Sequence, residues 1–298
     1  MKQAILVAGA LACASGAFAQ TCEGGLYLNP QTIRGEGTAK AATAAADLAD
    51  FLRGSGLSVA PIVNIATAED VATALKRRVP PCWVYGNPVV GFASGYQTVA
   101  VNKDSIQAAV LVVAEVGTTT DAKPVEISKL PPNEQAQVLA KLKATTCMGI
   151  RSGVTTALVR AEKLCGTMVD VQPQQGLGQA YLPTKASFHW QPDRWVGLVM
   201  RVQGAKATSM KSLVGANPRI HNARLIVVPT AGASWGYGLY VRADAPADAT
   251  RKATRLFTGL RGAEPALLRA LDANAQAEFV TPPDAEVDAM RRTLDMSL

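Results

Sequence analysis

Short strands and helices alternate through the first ninety residues of this chain. Three apolar runs of strand character, at 26–28, 57–63 and 82–85, are separated by helical patterns at 38–53 and 67–78. This order is typical of a parallel sheet covered by helices on both faces. The chain has 298 residues, of which 48% are hydrophobic and 18% charged, so it can bury more than one core. The sequence therefore predicts an α/β protein.

A second series of strands and helices begins near residue 105, and strand and helix patterns continue from residue 96 into the C-terminal part of the chain. The predicted strands are 96–101, 106–116, 147–150, 225–228 and 239–241. The predicted helices are 133–143, one capped by Ser152, one capped by Asp193 that runs through Met200, and three that start at about Pro246, Pro265 and Pro283.

The first nineteen residues have the features of a cleaved secretion signal. Lys2 gives a positive start, an apolar run of eleven residues follows at 4–14, and 17–19 has the small-x-small pattern of a cleavage site. We expect a mature, periplasmic chain that begins at Gln20. It keeps 29 basic and 23 acidic residues, a net charge of +6. A buried N-terminal helix and a lipoprotein anchored through Cys13 are the alternatives.

Four cysteines remain in the mature chain, and an even number in an exported protein indicates two disulfides. Three connectivities are possible, and we predict Cys22–Cys82 and Cys147–Cys165. The second pair closes a loop made of a strand end and one helix. Four reduced, buried thiols are the alternative. There is no C-x-x-C spacing, which argues against zinc or redox chemistry, and we expect no cofactor.

The positive charge is mild and scattered along the chain. There are 30 Lys and Arg against 23 Asp and Glu, and no basic block exceeds 76–78. Nucleic-acid binding normally needs a concentrated basic face, so we expect no nucleic-acid partner, whereas a small anionic ligand suits this balance. The two histidines, His189 and His221, lie in unrelated contexts, which argues against a metal site or catalytic centre built from histidine.

Residues 232–236 (GASWG) match G-x-S-x-G, the nucleophile elbow of α/β-hydrolases, with Ser234 as the nucleophile. That motif needs a strand before the serine and a helix after it. Here a second strand pattern follows, and no histidine comes after Ser234 in the chain. A secreted serine hydrolase is therefore kept as an alternative function, and the protein is expected not to be an enzyme.

The turn that follows 147–150 is a candidate anion site. The first amides of a helix lack intrahelical partners and carry the positive end of the helix dipole, so with nearby hydroxyls they suit a phosphate, phosphonate or carboxylate. An ordinary serine N-cap would give the same pattern. Similar turns occur at 29–38 and 85–88, and open α/β sheets bind ligands at such carboxyl ends of strands. The candidate ligand-binding residues are Ser152, Thr155 and Thr156, with Tyr85, Asn29, Thr32 and Ser234 from facing loops.

Three segments resemble the type 2 periplasmic substrate-binding proteins of ABC transporters, and within them the phosphate- and phosphonate-binding group. Residues 83–88 (WVYGNP) are similar to that group's hydrophobic-Gly-Pro turn after the third strand. Residues 149–156 (GIRSGVTT) resemble its Ser/Thr-rich turn, which binds the oxyanion, and 234–246, with the run LYVRADAP, resembles its return strand. The group usually carries an Asp after a second-lobe Gly, whereas 204–207 reads GAKA, which disfavours an amino-phosphonate ligand.

The resemblance implies two α/β lobes joined by two crossings. Lobe one would comprise 20–105 plus 237–298, and lobe two 106–236, with crossings near 101–107 and 231–237. The lobes would close on a small anion without covalent chemistry. The implied protein is a monomeric solute-binding protein that serves an ABC transporter permease. A sensor or binding protein of the same fold that has no transporter is a further alternative.

Overall fold

The computed structural model describes residues 26–28, 37–57, 59, 63–64, 81–93, 95–115, 124–150, 153–171, 195–202, 223–260, 271 and 277–294. Several of the predictions above fall outside these ranges. They are the secretion signal, the ligand-binding roles of Asn29, Thr32 and Ser152, and the roles of Cys13, Cys22, His189 and His221, together with the helices at 67–78 and after Pro265.

The described residues form two six-stranded sheets. The strands are β1 (Leu26–Leu28), β2 (Val63–Asn64), β3 (Trp83–Gly86), β4 (Gln97–Asn102), β5 (Ile106–Glu115), β6 (Val125–Glu126), β7 (Thr146–Ile150), β8 (Thr167–Val171), β9 (Trp195–Val202), β10 (Ala223–Ser234), β11 (Gly238–Val241) and β12 (Phe279–Val280). The helices are α1 (Gly37–Gly54), α2 (Pro88–Ala93), α3 (Pro132–Leu142), α4 (Val154–Ala161), α5 (Ala247–Thr258) and α6 (Asp284–Thr293).

The first sheet has the strand order β12-β4-β11-β3-β1-β2. Its strands β2, β1 and β3 are parallel, as the βαβ pattern of the N-terminal sequence predicts. Strand β11 returns antiparallel between β3 and β4, and β12 pairs antiparallel with β4. One face is covered by α1 and α5, and buried side chains of these helices and of the strands form one core. Core residues from the helices are Leu48, Leu52 and Phe257, and core residues from the strands are Tyr85 and Phe279.

The second sheet has the order β6-β10-β5-β9-β7-β8. Its centre is antiparallel, because β5 pairs with both β10 and β9 in that sense, whereas β7 runs parallel to β8 and β9. One face carries the even-numbered residues of β5, such as Val110 and Val112, and packs against Leu158 and Val159 of α4. The same apolar cluster continues into Phe92 and other residues next to the first sheet.

Strand β9 corrects a prediction, since the segment from Asp193 through Met200 was expected to be a helix. Residues 196–200 are all buried, and strand β9 lies between β5 and β7 in the middle of the sheet. A strand that is buried on both faces is apolar at every position, so periodicity cannot distinguish it from a short buried helix. Strand β8 was not predicted, and β10 extends through Gly232 to Ser234, where a loop was expected.

The predicted disulfide Cys147–Cys165 is confirmed, with the two Cα atoms 5.9 Å apart. It ties the segment after α4 to the first half of β7. A Cβ added to Gly197 on the neighbouring strand would lie 2.2 Å from the Cys147 sulfur, so the side chain of Cys147 occupies the space that this glycine leaves. Cys82 is also disulfide-bonded, while its predicted partner Cys22 lies outside the described residues.

The C-terminal helices follow the predicted starts closely. Helices α5 and α6 begin directly after Pro246 and Pro283, each of which occupies the N-cap position. Helix α3 likewise begins at Pro132, where proline lacks only an N–H that would have no helical partner. None of the helices that the structure describes is long and apolar enough to cross a membrane.

Candidate functional site

The chain passes from the first sheet to the second at 103–105 and returns at 235–237, and the two crossings are hydrogen-bonded to each other. The backbone N–H of Gly236 donates to the carbonyl of Asn102 at 3.0 Å, and the N–H of Asn102 donates to the carbonyl of Tyr237 at 2.8 Å. Strand pairing continues on both sides, between Ile106 and Ser234 in one sheet and Val101 and Gly238 in the other. The sheets are therefore joined by a short antiparallel ribbon.

In each sheet, the strand ends beside this ribbon are called the crossing end. In the first sheet, Gly86 at the carboxyl end of β3 pairs with Gly238, and Leu28 at the carboxyl end of β1 pairs with Tyr85. Both parallel strands therefore point their carboxyl ends at the crossing end. Loops that follow such strands are where open α/β sheets bind ligands.

The second sheet presents the carboxyl ends of β7 and β9 in the same way. Val202 at the end of β9 pairs with Gln107, one residue from the start of β5, and β7 runs parallel to β9. The turn from β7 into α4 consequently lies at the crossing end. Strand carboxyl ends from both sheets thus border the ribbon, as a cleft between them requires.

Helix α4 begins at Val154, and its N-cap position is occupied by Gly153, which makes no side-chain capping bond. This corrects the prediction that Ser152 caps the helix. The first hydrogen bond of α4 joins the N–H of Ala157 to the carbonyl of Gly153. The amides of Val154 and Thr155 come before it, so they have no acceptor within the helix. The helix packs on the sheet and also contacts α2, which follows the carboxyl end of β3.

The two predicted threonines of α4 have different surroundings. Thr156 is 2% exposed and packs on Gly149, where an added Cβ would lie 2.3 Å from the Thr156 hydroxyl oxygen. Thr155 is partly exposed. Thr156 therefore holds α4 against β7, and Thr155 is the hydroxyl of this pair that a ligand can reach.

Tyr85 lies in the core of the first sheet. Its side chain is fully buried, and its hydroxyl donates to the carbonyl of Leu271 at 2.6 Å. Its ring stacks against Tyr237 and lies against Phe257. The structure thus does not bring the Tyr85 hydroxyl together with the start of α4.

Ser234 is the last residue of β10 and is 2% exposed, and its hydroxyl has no hydrogen-bond partner among the residues that the structure describes. Strand β11 begins at Gly238, so no helix follows the serine as a nucleophile elbow would need. Nothing in this local structure supports the hydrolase alternative. Ser234 remains a buried polar group at the crossing end, on the strand that enters the ribbon.

Aromatic side chains surround the return crossing. Trp235 and Tyr240 each lie edge-on to the ring of Phe92, and the Trp235 indole N–H donates to the Tyr240 hydroxyl at 3.3 Å. Burial raises the pKa of Tyr240 above its usual value, and the hydrogen bond from Trp235 lowers it by less. The Arg291 guanidinium of α6 stacks over Phe92 at 5.1 Å. This packing anchors the ribbon between the two sheets.

Arg201 at the end of β9 was missed by the sequence interpretation. It is partly buried, and its Nε atom is buried without a hydrogen-bond partner in the described part of the chain. In the sequence it is one of many scattered basic residues, and the preceding segment was predicted to be a helix. A correct assignment of β9 would have placed this cation at the carboxyl end of a central strand.

No protein-family model matches the chain, and no curated protein matches its sequence. Solved structures do match its fold. The chloride-bound XAC2383 of Xanthomonas citri has a TM-score of 0.57 at 11% identity, over 93% of this chain and 97% of that one. The ATP-bound form of the same protein has a TM-score of 0.55 at 10% identity, over 92% and 96%. PhnD1 of Prochlorococcus marinus, in complex with methylphosphonate, has a TM-score of 0.56 at 12% identity, over 92% and 98%.

The fold is that of a two-lobed periplasmic binding protein. Identities this low show the fold alone. The matching folds confirm the predicted α/β class with two crossings. The two crossings are the segments that the hydrogen bond between Gly236 and Asn102 joins. The lobe boundaries at 105/106 and 236/237 stay a prediction, as do the ligand-binding roles of Thr155, Thr156 and Ser234.

Proposed function

We propose that this protein is a periplasmic solute-binding protein that captures a small anion between its two lobes for uptake by an ABC transporter permease. The lobes are 20–105 plus 237–298 and 106–236, and the working form is a monomer. The observation that carries the proposal is the ribbon at Asn102 and Gly236, bordered on both sides by carboxyl ends of strands. A two-stranded connection of this kind allows the lobes to close on a ligand as a hinge.

The anionic character of the ligand is supported by the donors at the crossing end. The first amides of α4, the Thr155 hydroxyl and the buried Ser234 hydroxyl offer hydrogen bonds to an oxyanion. The matching structures of similar fold hold methylphosphonate, chloride and ATP, which are all anions. The expected mature charge of +6 also favours the approach of anions.

A screen by thermal unfolding tests the proposal. The chain from Gln20 to Leu298 is heated with phosphate, phosphite, methylphosphonate, sulfonates, carboxylates or chloride at constant ionic strength. A ligand that binds the folded state alone raises the melting temperature, by mass action, as its concentration exceeds the dissociation constant. One chemical class of anion should stabilise the protein at micromolar to millimolar concentration. If every anion leaves the melting temperature unchanged, the proposed function is wrong.

Periplasmic location has a separate test. When the full chain is expressed in a bacterium with two membranes, the protein should appear in the periplasmic fraction with Gln20 at its N-terminus. A cytoplasmic protein that keeps Met1 would contradict both the export and the cleavage site.

A further inference from the structure

We infer that Arg201 is the cationic residue that holds the anion, and that the ligand is an oxyanion without an ammonium group. This inference rests on the proposed function and assigns its specificity to one side chain. The guanidinium of Arg201 has no hydrogen bond or ion pair with any described residue, and its Nε atom is buried. A partly buried cation without a counterion is costly in water-poor surroundings, and a bound anion removes that cost.

Most other arginines among the described residues differ from Arg201 because they have a carboxylate partner. Several of them lie within ion-pair distance of a carboxylate, namely the exposed Arg53, Arg160 and Arg251 and the partly buried Arg224 and Arg242. Arg201 is less exposed than most of them, and yet it lacks such a partner. Arg255 and Arg292 also show no ion pair with a described residue, but both are exposed and water can solvate them, whereas Arg201 is partly buried.

Strand register places Arg201 on the face of the second sheet that α4 covers. Arg201 is paired with Ala108, and residues directly opposite each other in neighbouring strands share a face. Ala108 belongs to the apolar cluster that includes Leu158 of α4. On the same face of β9, four residues before Arg201, Gly197 lies against Cys147 of β7. Arg201 therefore shares its face with the helix whose first amides are the proposed anion donors.

Ser234 lies on this same face at the same end of the sheet. It pairs with Ile106, two residues before Ala108 on β5, and alternation puts Ile106 and Ala108 on one face. Two unpartnered polar groups, the Arg201 Nε atom and the Ser234 hydroxyl, thus occupy strands on either side of β5 at the crossing end. The residue opposite Arg201 is Ala108, whose side chain is a single methyl group.

The chemistry of the guanidinium selects the ligand class. Its planar fork donates two parallel hydrogen bonds to two oxygens of a carboxylate, phosphate or phosphonate. A single-atom anion such as chloride offers one acceptor atom, so the two bonds converge on it and do not run parallel to two oxygens. An ammonium group on the ligand would be repelled by Arg201 unless a carboxylate faced it, so a zwitterion is disfavoured relative to the matching simple oxyanion.

Calorimetric titration of matched variants tests Arg201, with methylphosphonate, phosphate and 2-aminoethylphosphonate as probes. Arg201→Met removes the cation, and Arg160→Met is the control, because it removes an equal charge from α4 at a residue already paired with Asp170. Arg201→Met should weaken the binding of the better simple oxyanion by about 10- to 100-fold, the usual effect of losing a charged hydrogen-bond partner. Arg160→Met should stay within about twofold of the unaltered protein.

Two further comparisons separate recognition from a structural role. Arg201→Lys keeps the charge without the fork, so it should bind between the unaltered protein and Arg201→Met, and it serves as the test if Arg201→Met does not fold. The unaltered protein should prefer methylphosphonate to 2-aminoethylphosphonate, and loss of Arg201 should shrink that preference. A role in folding alone would lower the melting temperature and leave the preference intact.

The outcomes distinguish this inference from the proposed function. If the unaltered protein binds an oxyanion and the Arg201 variants bind it equally well, Arg201 is not the anion partner, although the protein remains an anion-binding protein. If the unaltered protein prefers 2-aminoethylphosphonate, the ligand is not an oxyanion without an ammonium group. If it binds none of the anions in the probe set or the thermal screen, the proposed function itself is wrong.

Discussion

Gly236 donates its backbone N–H to the carbonyl oxygen of Asn102 across 3.0 Å, and this bond joins the two crossings of the chain. The backbones come close here because Gly236 has no side chain. An added Cβ would lie 3.1 Å from the Cβ of Asn102 and 3.3 Å from the carbonyl of Asp104. The ribbon on which the lobes would move is therefore packed tightly at one glycine.

Replacing Gly236 with alanine should destabilise the protein by about 1–3 kcal/mol, the usual cost of overpacking. Gly54→Ala is the matched control, because an added Cβ at Gly54 meets nothing within 4 Å. Urea unfolding measures both variants. Equal stability of the two would mean that the crossings are not packed as described.

Removing the disulfide with Cys147→Ala and Cys165→Ala should lower the free energy of unfolding by roughly 3 kcal/mol, because the unfolded chain gains the freedom of the closed loop. Urea unfolding of this double variant against the unaltered protein, both without reductant, gives the value. Peptide mapping of the unreduced protein should find the same bridge. Cys147 paired with Cys82 instead would contradict the structure.

Tyr240 should make stability fall steeply in alkali. Burial raises the pKa of its hydroxyl in the folded state, so above pH 10 the unfolded chain releases this proton first. The stabilisation from the buried, protonated Tyr240 hydroxyl is fully present below pH 10. Between pH 10 and the raised pKa, each pH unit lowers the free energy of unfolding by about 1.4 kcal/mol. Tyr240→Phe should show a shallower alkaline loss in urea unfolding from pH 8 to 11. Parallel curves for the two proteins would contradict the burial of this hydroxyl.

Glu162 holds the irregular part of β10. Its carboxylate accepts hydrogen bonds from the backbone N–H groups of Gly232 and Ala231 at 2.7 and 3.0 Å. Glu162→Ala should cost about 1–2 kcal/mol, and Glu162→Gln less, because the amide keeps one acceptor. Asp50→Ala, which breaks an exposed pair with Arg53, should cost under about 1 kcal/mol in the same unfolding measurement. A Glu162→Ala variant as stable as Asp50→Ala would show that water replaces the carboxylate.

Thr155→Val should weaken binding of the anion that the screen identifies by about tenfold or more, because one hydrogen bond to a charged ligand is lost. The melting temperature without ligand should stay unchanged, since the side chain is partly exposed. Thr254→Val on α5 is the control, because its hydroxyl bonds to the carbonyl of Thr250 in the same helix. Unchanged affinity of Thr155→Val would place the anion elsewhere.

Local signals in the sequence were sufficient for the parallel strands, the proline starts of α5 and α6, and the disulfide Cys147–Cys165. Each depends on neighbouring residues or on a short loop. The prediction for β9 was wrong because Val196 to Met200 are buried on both faces, where polar alternation disappears. The order of the strands in each sheet depends on pairing between residues far apart in the chain, which no local pattern encodes.

The candidate site was predictable to the level of its segments. The turn into α4 was found because hydroxyl residues follow a strand, but the cap position at Gly153 and the burial of Thr156 depend on packing against Gly149. Tyr85 was chosen for its position after a strand, whereas its hydroxyl is bonded to Leu271, 186 residues away in the chain. Arg201 could not be recognised before β9 was known, because the sequence does not show whether a basic side chain has a hydrogen-bond or charge partner in the folded protein.

Small-angle X-ray scattering of the mature chain, with and without a saturating amount of the anion from the screen, tests the central claim most directly. If the anion is held between two lobes that close about the ribbon at Asn102 and Gly236, the radius of gyration should fall on saturation, and the half-saturation point should match calorimetry. A scattering profile that does not change while calorimetry shows full binding would contradict the account, because the anion would then bind without bringing the lobes together.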